Sequence, residues 1–204
     1  MILDISVLVQ PGTPEWPGDV PFTCGWSTRI EQGASVNLSH VSGSPHVGTH
    51  ADAPLHVREG WPASDQLPLE PFIGAVLVLD VTHAPVGTLA LDAEDPRLER
   101  CERLLLRTDR TIADGEFPAG WPVLSSATAI LLAAAGVKLV GVDAPSVDHR
   151  ESKSLDVHRA LFGGGAYVLE NLDLRGVAEG RYELVALPQR LGGLDAAPVR
   201  AILM

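Results

Sequence analysis

A chain of 204 residues fits one ordinary domain, and its 46% hydrophobic content supports a full core and excludes disorder. The formal net charge of -11 excludes a nucleic-acid surface, which needs clustered Lys and Arg. A small neutral or zwitterionic substrate suits this balance better than an acidic one. Met1-Ile-Leu-Asp4 lacks the basic start and long apolar stretch of a signal peptide, and the longest apolar run, around Ala129 to Val137, is too short to span a membrane. The two cysteines, Cys24 and Cys101, make neither a disulfide framework nor a thiolate zinc site. The expectation is a soluble, cytoplasmic protein with no nucleic-acid or membrane partner.

Sixteen Pro and twenty Gly predict many turns and short strands. Gly74 to Val81 is a nearly continuous apolar run and reads as a buried strand, with Arg103 to Arg107 a second. Ser125 or Ser126 caps a predicted helix that runs to Ala135 and stops at Gly136. Being apolar nearly all round, that helix is expected to be well buried. Val137 to Val142 reads as a strand leading into Asp143-Ala-Pro-Ser. A short helix follows over Leu155 to Leu161, ended by Gly163-Gly-Gly165. Tyr167 to Glu170 and Tyr182 to Leu187 read as strands. This order predicts one α/β domain with a central sheet, one long buried helix and shorter helices. Trp26, Trp61, Phe22 and Phe72 read as packing residues.

Three of the seven histidines fall within eleven residues, in His46-Val-Gly-Thr-His50-Ala-Asp52-Ala-Pro54-Leu-His56. Gly48 and Pro54 disfavour a helix there. In an extended segment, positions 46, 50, 52 and 56 share parity, so all four side chains lean to one side. A straight strand would spread them over roughly 33 Å, at about 3.3 Å per residue, too far for one ion. The segment must therefore bend, and Gly48 and Pro54 are suitable places for it. Imidazole with carboxylate suits zinc, and also manganese or iron, and a catalytic zinc site uses three protein ligands with an open position. Two His and Asp52 supply such a set, and His56 remains to move protons. In a second polar stretch, Asp148 to His158, Asp148 and Glu151 read on their own as a solvated charged loop and His149 as a surface residue. Glu170, ending an apolar strand, is well placed to serve a metal.

The His46 to His56 segment resembles the signature of the cyclase-like metal hydrolases. The resemblance extends to Asp4-Ile-Ser, Trp16-Pro-Gly-Asp19, Asp143 to His149, Glu151-Ser-Lys153, His158, Leu169-Glu170-Asn-Leu172, Tyr182 to Pro188 and Asp195 to Ala201, essentially the whole chain. It implies a swivelling β/β/α fold over residues 1–204, assembled as a homodimer or higher oligomer. It implies one zinc at His46, His50 and Asp52 and a second at Asp52, His158 and Glu170, with Asp52 and Glu170 bridging. Manganese or another divalent ion is the alternative. By the same resemblance His56 is the proton donor and acceptor, and Trp16 contacts an aromatic substrate. The activity implied is hydrolysis of N-formyl-L-kynurenine to L-kynurenine and formate. Two other readings stand beside it: an isatin-type hydrolase, and a non-catalytic protein whose ions hold the fold together. Asn171 stands where Gly often follows the Glu.

Overall fold

Leu104, Leu105 and Leu106 are consecutive apolar side chains, and a strand that carries them must be covered on both faces. The computed structural model, which describes residues 1–89, 91–92 and 95–204, provides both covers. In chain order the strands are β1 (Leu3–Asp4), β2 (Thr23–Thr28), β3 (Leu38–Ser42), β4 (His50–Asp52), β5 (Ile73–Asp80), β6 (Gly87–Thr88) and β7 (Arg103–Arg107). They continue with β8 (Pro122–Val123), β9 (Leu139–Val142), β10 (Tyr167–Glu170), β11 (Gly180–Val185), β12 (Ala196–Pro198) and β13 (Ile202–Leu203). The helices are α1 (Ser126–Ala134) and α2 (Asp156–Gly163).

One sheet runs in the order β1-β13-β11-β5-β7-β9-β10-β4-β12. Its centre, β5 to β10, is parallel, and the flanking strands are antiparallel. Side chains alternate between two cores, as a period of two requires. Leu77, Leu79, Leu104, Leu106, Val140 and Val168 face the helices, where they meet Ala129 and Leu132 of α1 and Leu161 of α2. Val76, Val78, Leu105, Leu139 and Leu169 face the other core, with Ile5, Phe72, Leu184 and Leu203. That second core is closed by curling of the sheet. A bridge between Ser6 and Leu172, and a hydrogen bond from Asp173 N to Ile5 O, bring the β1 end back against the end of β10. The result is the α/β fold with β/β/α layering.

Helix α1 begins where the sequence places it: the Ser125 hydroxyl accepts from Thr128 N–H. Its predicted burial fails. Only Ala129 and Leu132 are buried, while Ile130 and Leu131 are each 56% exposed. The helix lays one stripe on the sheet, and none of the described residues covers the other. Trp26, expected to pack, is also exposed, on a β2–β3 hairpin that forms its own two-stranded sheet. Phe72 is fully buried, and Trp61 packs on the core beneath Arg58.

The predicted bend of the histidine segment sits where its two breakers are. Gly48 adopts φ +75°, and Pro54 opens a 3-10 turn over Pro54–His56, leaving only His50–Asp52 extended. A Cβ at Gly48 would stand 2.3 Å from Val9 Cγ2. Gly48→Ala is therefore expected to destabilise the fold by about 1–3 kcal/mol, from backbone strain plus overpacking. A wild-type midpoint in urea unfolding would contradict this account of the bend.

Candidate metal centre

Strand β4 lies between β10 and β12, and its register assembles the site. His50 pairs with Glu170, and Asp52 pairs with Val168 on one side and Ala196 on the other. His50 and Asp52 project from the same face, while Ala51 between them enters the opposite core. Helix α2 lies against that face and delivers His158, which is buried like His50, Asp52 and Glu170. His46, on the turn before Gly48, closes the group from the partly exposed side.

The two oxygens of Asp52 face two ligand sets. His46 Nδ1 lies 3.1 Å and His50 Nε2 lies 3.2 Å from Asp52 Oδ1. His158 Nε2 lies 2.9 Å from Asp52 Oδ2 and 3.2 Å from Glu170 Oε1. Glu170 Oε2 approaches His50 Nε2 at 3.6 Å, so Glu170 reaches both sets. The groups His46, His50, Asp52 and Asp52, His158, Glu170 each converge within 4.8 Å.

Each of these imidazoles has its other nitrogen secured. His50 Nδ1–H donates to Gly48 O at 2.8 Å, and His158 Nδ1–H donates to Asp148 Oδ2 at 2.6 Å. His46 Nε2–H donates to Asp195 Oδ2 at 3.0 Å. Such bonds fix the tautomer that leaves the opposite nitrogen as a ligand. His46 Nδ1 and His50 Nε2 then turn lone pairs toward each other at 3.2 Å, a repulsive arrangement that a shared cation relieves. Asp52 Oδ1, buried between them, has no hydrogen-bond partner. Ligands about 2.0–2.1 Å from a tetrahedral ion are about 3.3 Å apart, close to these edges. The residues fit a divalent cation.

With protons rather than a cation balancing the carboxylates, the histidines are strongly basic. Burial opposes the charge on His46, but contact with Asp195 and Asp52 outweighs it and pushes the ring up to about 10. At His50 burial is outweighed by the Asp52 charge, giving about 9. At His158 it is outweighed by Asp148, Asp52 and Glu170, and the ring lies well above its ordinary value. Burial likewise fails to keep the Asp52 carboxyl protonated against these histidines.

A cavity of about 390 Å³ opens over the cluster. His56 lines it, with Nδ1 at 3.0 Å from Asp195 Oδ2, but belongs to neither set around Asp52. Trp16 lines it too, edge-on to Phe117 at 5.5 Å and to Trp121 at 6.1 Å. Asn171 takes φ +54°, a left-handed conformation that Gly or Asn adopts most readily, which explains the exchange at that position.

Two carboxylates exceed what the residues alone suggested. Asp148 is buried rather than solvated, because the amides of Val157 and His158 and the His158 ring all bond to it. Its sequence signal was the family-like stretch Asp143 to His149. Asp195 had none beyond the family-like motif, since 139 residues separate it from His56.

Fold and side-chain geometry together define a curled-sheet protein with a buried imidazole–carboxylate cluster that fits a divalent cation. The comparisons agree. The family model for cyclases, described as "Putative cyclase", matches residues 3–149, and the chain belongs to this family. It is 43% identical to the kynurenine formamidase of Salinibacter ruber, over 99% of this chain and 96% of that one. It is 40% identical to the kynurenine formamidase of Erythrobacter litoralis, over 99% and 93%. Among solved structures, the predicted metal-dependent hydrolase from Bacillus stearothermophilus is 28% identical, with a TM-score of 0.81 over 100% of this chain and 97% of that one. Isatin hydrolase A from Ralstonia solanacearum shares the fold at 20% identity, with a TM-score of 0.81 over 100% and 91%.

An incoming cation must displace the protons on His46 and His50. Since their ring values are about 10 and 9, apparent affinity for zinc should strengthen as pH rises from about 6 to about 9. Competition against a chelator of known affinity reads this directly, and a flat profile would contradict the ligand assignment.

Proposed function

We propose that the chain is a metal-dependent amidohydrolase that converts N-formyl-L-kynurenine and water to L-kynurenine and formate. The observation that carries this reading is one cavity of about 390 Å³ lined by the cation cluster, the separate imidazole of His56 and the aromatic edge of Trp16. The identity of 40–43% to two kynurenine formamidases supports the substrate. So does the lining. Lys153 is the only Lys or Arg among the described lining residues, and apart from Glu170 and Asp195, which bond to the histidines, Asp19 is the lining carboxylate, leaving one charge of each sign for an amino-acid head.

In this reading His46, His50 and Asp52 would hold one ion, and Asp52, His158 and Glu170 would hold a second. Zinc suits these donors, and manganese is the nearest substitute. When bound, such ions would lower the pKa of a water to about 7 and polarise the formyl oxygen. His56 has its Nδ1–H committed to Asp195, so Nε2 is its free nitrogen. That nitrogen takes a proton from the attacking water and returns one to the aryl nitrogen as the C–N bond breaks. An aryl amide nitrogen leaves poorly as an anion, so this proton is required. The amine departs neutral, and the formic acid released ionises to formate. Trp16 and Phe117 form a wall for the aryl ring.

An isatin-type substrate, a neutral fused ring, would leave Lys153 and Asp19 without partners. A purely structural metal site would leave His56 without a task. Residues 1–204 act as one unit in this account, since β1 pairs with β13 at the far end of the chain. No helix among the described residues is long and apolar enough to cross a membrane. An exposed free Cys24 thiol suits the reducing cytoplasm.

A homodimer also belongs to this reading. The β2–β3 hairpin leaves Trp26, Leu38 and Val41 more than half exposed, and an isolated two-stranded hairpin is marginal in water. A second copy of the chain would cover it. Val41→Asp should then shift the species seen by light scattering from dimer to monomer, and a wild-type monomer would refute this assembly.

The direct test is formate release from N-formyl-L-kynurenine, compared with turnover of isatin. His56→Ala should keep its metal and lose about 10²–10⁴-fold in kcat. Near-wild-type turnover in that variant would remove His56 from the mechanism.

A further inference from the structure

Asp195 sits immediately before β12, and its backbone is held to the metal-bearing segment. Asp195 O accepts from Ala53 N–H at 2.8 Å, Leu194 O accepts from Ser64 N–H at 2.8 Å, and Ala196 is in register with Asp52. The β4–β12 pairing that places Asp52 therefore also places Asp195. A single oxygen of this carboxylate, Oδ2, receives two imidazoles at 3.0 Å each: His46 through Nε2 and His56 through Nδ1. The two rings lie 4.6 Å apart.

We propose that Asp195 is a positioning residue that couples the metal centre to the proton-transfer group. By accepting Nε2–H of His46 it leaves Nδ1 as the nitrogen facing Asp52. By accepting Nδ1–H of His56 it leaves Nε2 as the nitrogen free for proton transfer. One carboxylate oxygen so selects both tautomers, and it faces the positive charge that His56 acquires when it takes a proton.

His46, His56 and Asp195 also lie close enough together to form a ligand trio of their own. The bonding separates the two possibilities. Both contacts to Asp195 have hydrogen-bond geometry, whereas Asp52 Oδ1 has no hydrogen bond at all. Asp195 is bonded as an orienting carboxylate, whereas Asp52, bonded to His158 through Oδ2, keeps Oδ1 open for a ligand role.

The catalytic half of this inference rests on the assignment of His56 above, and the metal half does not. The test compares Asp195→Ala, Asp195→Asn, His56→Ala and the His56→Ala/Asp195→Ala double variant, each checked for native circular dichroism. Formate release gives kcat and KM, and chelator competition gives metal affinity. Asp195→Ala should lose about 10–100-fold in kcat with KM little changed, and one bound ion should weaken by about 10–100-fold. Asp195→Asn keeps an acceptor oxygen without the charge, and should recover metal affinity more fully than turnover. In the double variant, removing Asp195 should add little to the loss already caused by His56→Ala.

Wild-type kcat in Asp195→Ala, or full multiplication of the two losses in the double variant, would overturn the coupling. An additional ion bound by the wild type and lost on removing Asp195 would make it a ligand and overturn the proposal as well. Should the wild type release no formate, the substrate reading fails. Metal affinity then decides the positioning role alone, and unchanged affinity in Asp195→Ala would refute it.

Discussion

Asp52 is a carboxylate with 0% of its surface exposed, set among three imidazoles. Burying a charge costs several kcal/mol unless it is paired and its lone pairs are used. Protons on the histidines can balance the charge, but neither the His46 nor the His50 ring meets Asp52 Oδ1 with good hydrogen-bond geometry. A cation would use that oxygen and the lone pairs of His46 and His50 together. The local structure serves this requirement: the bend at Gly48, the short strand β4, and helix α2 resting on its polar face.

The same constraint explains why the site is divided among distant parts of the chain. Strand β4 contributes His50 and Asp52 from one face, and its neighbours β10 and β12 bring Glu170 and Asp195 alongside. The orienting bonds come from different places again: the backbone at Gly48, the loop at Asp148, and the turn before β12. Each imidazole is thereby locked by an oxygen outside its ligand set, which is what a precise metal geometry needs. His56 takes its place from the 3-10 turn that Pro54 begins, one step beyond the ligands and facing the same cavity.

Much of this was legible in the residues. The central strands are buried on both faces, so Gly74 to Val81 and Arg103 to Arg107 stand out as apolar runs, and the structure forms strands there. The crowding of His46, His50, Asp52 and His56, with two backbone breakers, indicated a bent polar segment. Glu170 stood out as a carboxylate ending an apolar strand, but its partnership with His158 entered through family resemblance, because long-range register cannot be read from spacing. Asp148 looked solvated because its neighbours are charged, and burial depends on which helix folds over it. The burial of α1 was overstated because apolar composition does not reveal whether a second cover exists. The β2–β3 hairpin left no clear alternation, since nearly all its side chains are exposed.

The central claim is that the two oxygens of Asp52 serve two cations. Anomalous diffraction at the zinc edge, on crystals of protein purified without chelator and loaded with zinc, tests it most directly. The account predicts two anomalous peaks, one beside Asp52 Oδ1 with His46 and His50, the other beside Asp52 Oδ2 with His158 and Glu170. Peaks only at surface residues, or zinc bound in the cavity without contact to Asp52, would contradict it.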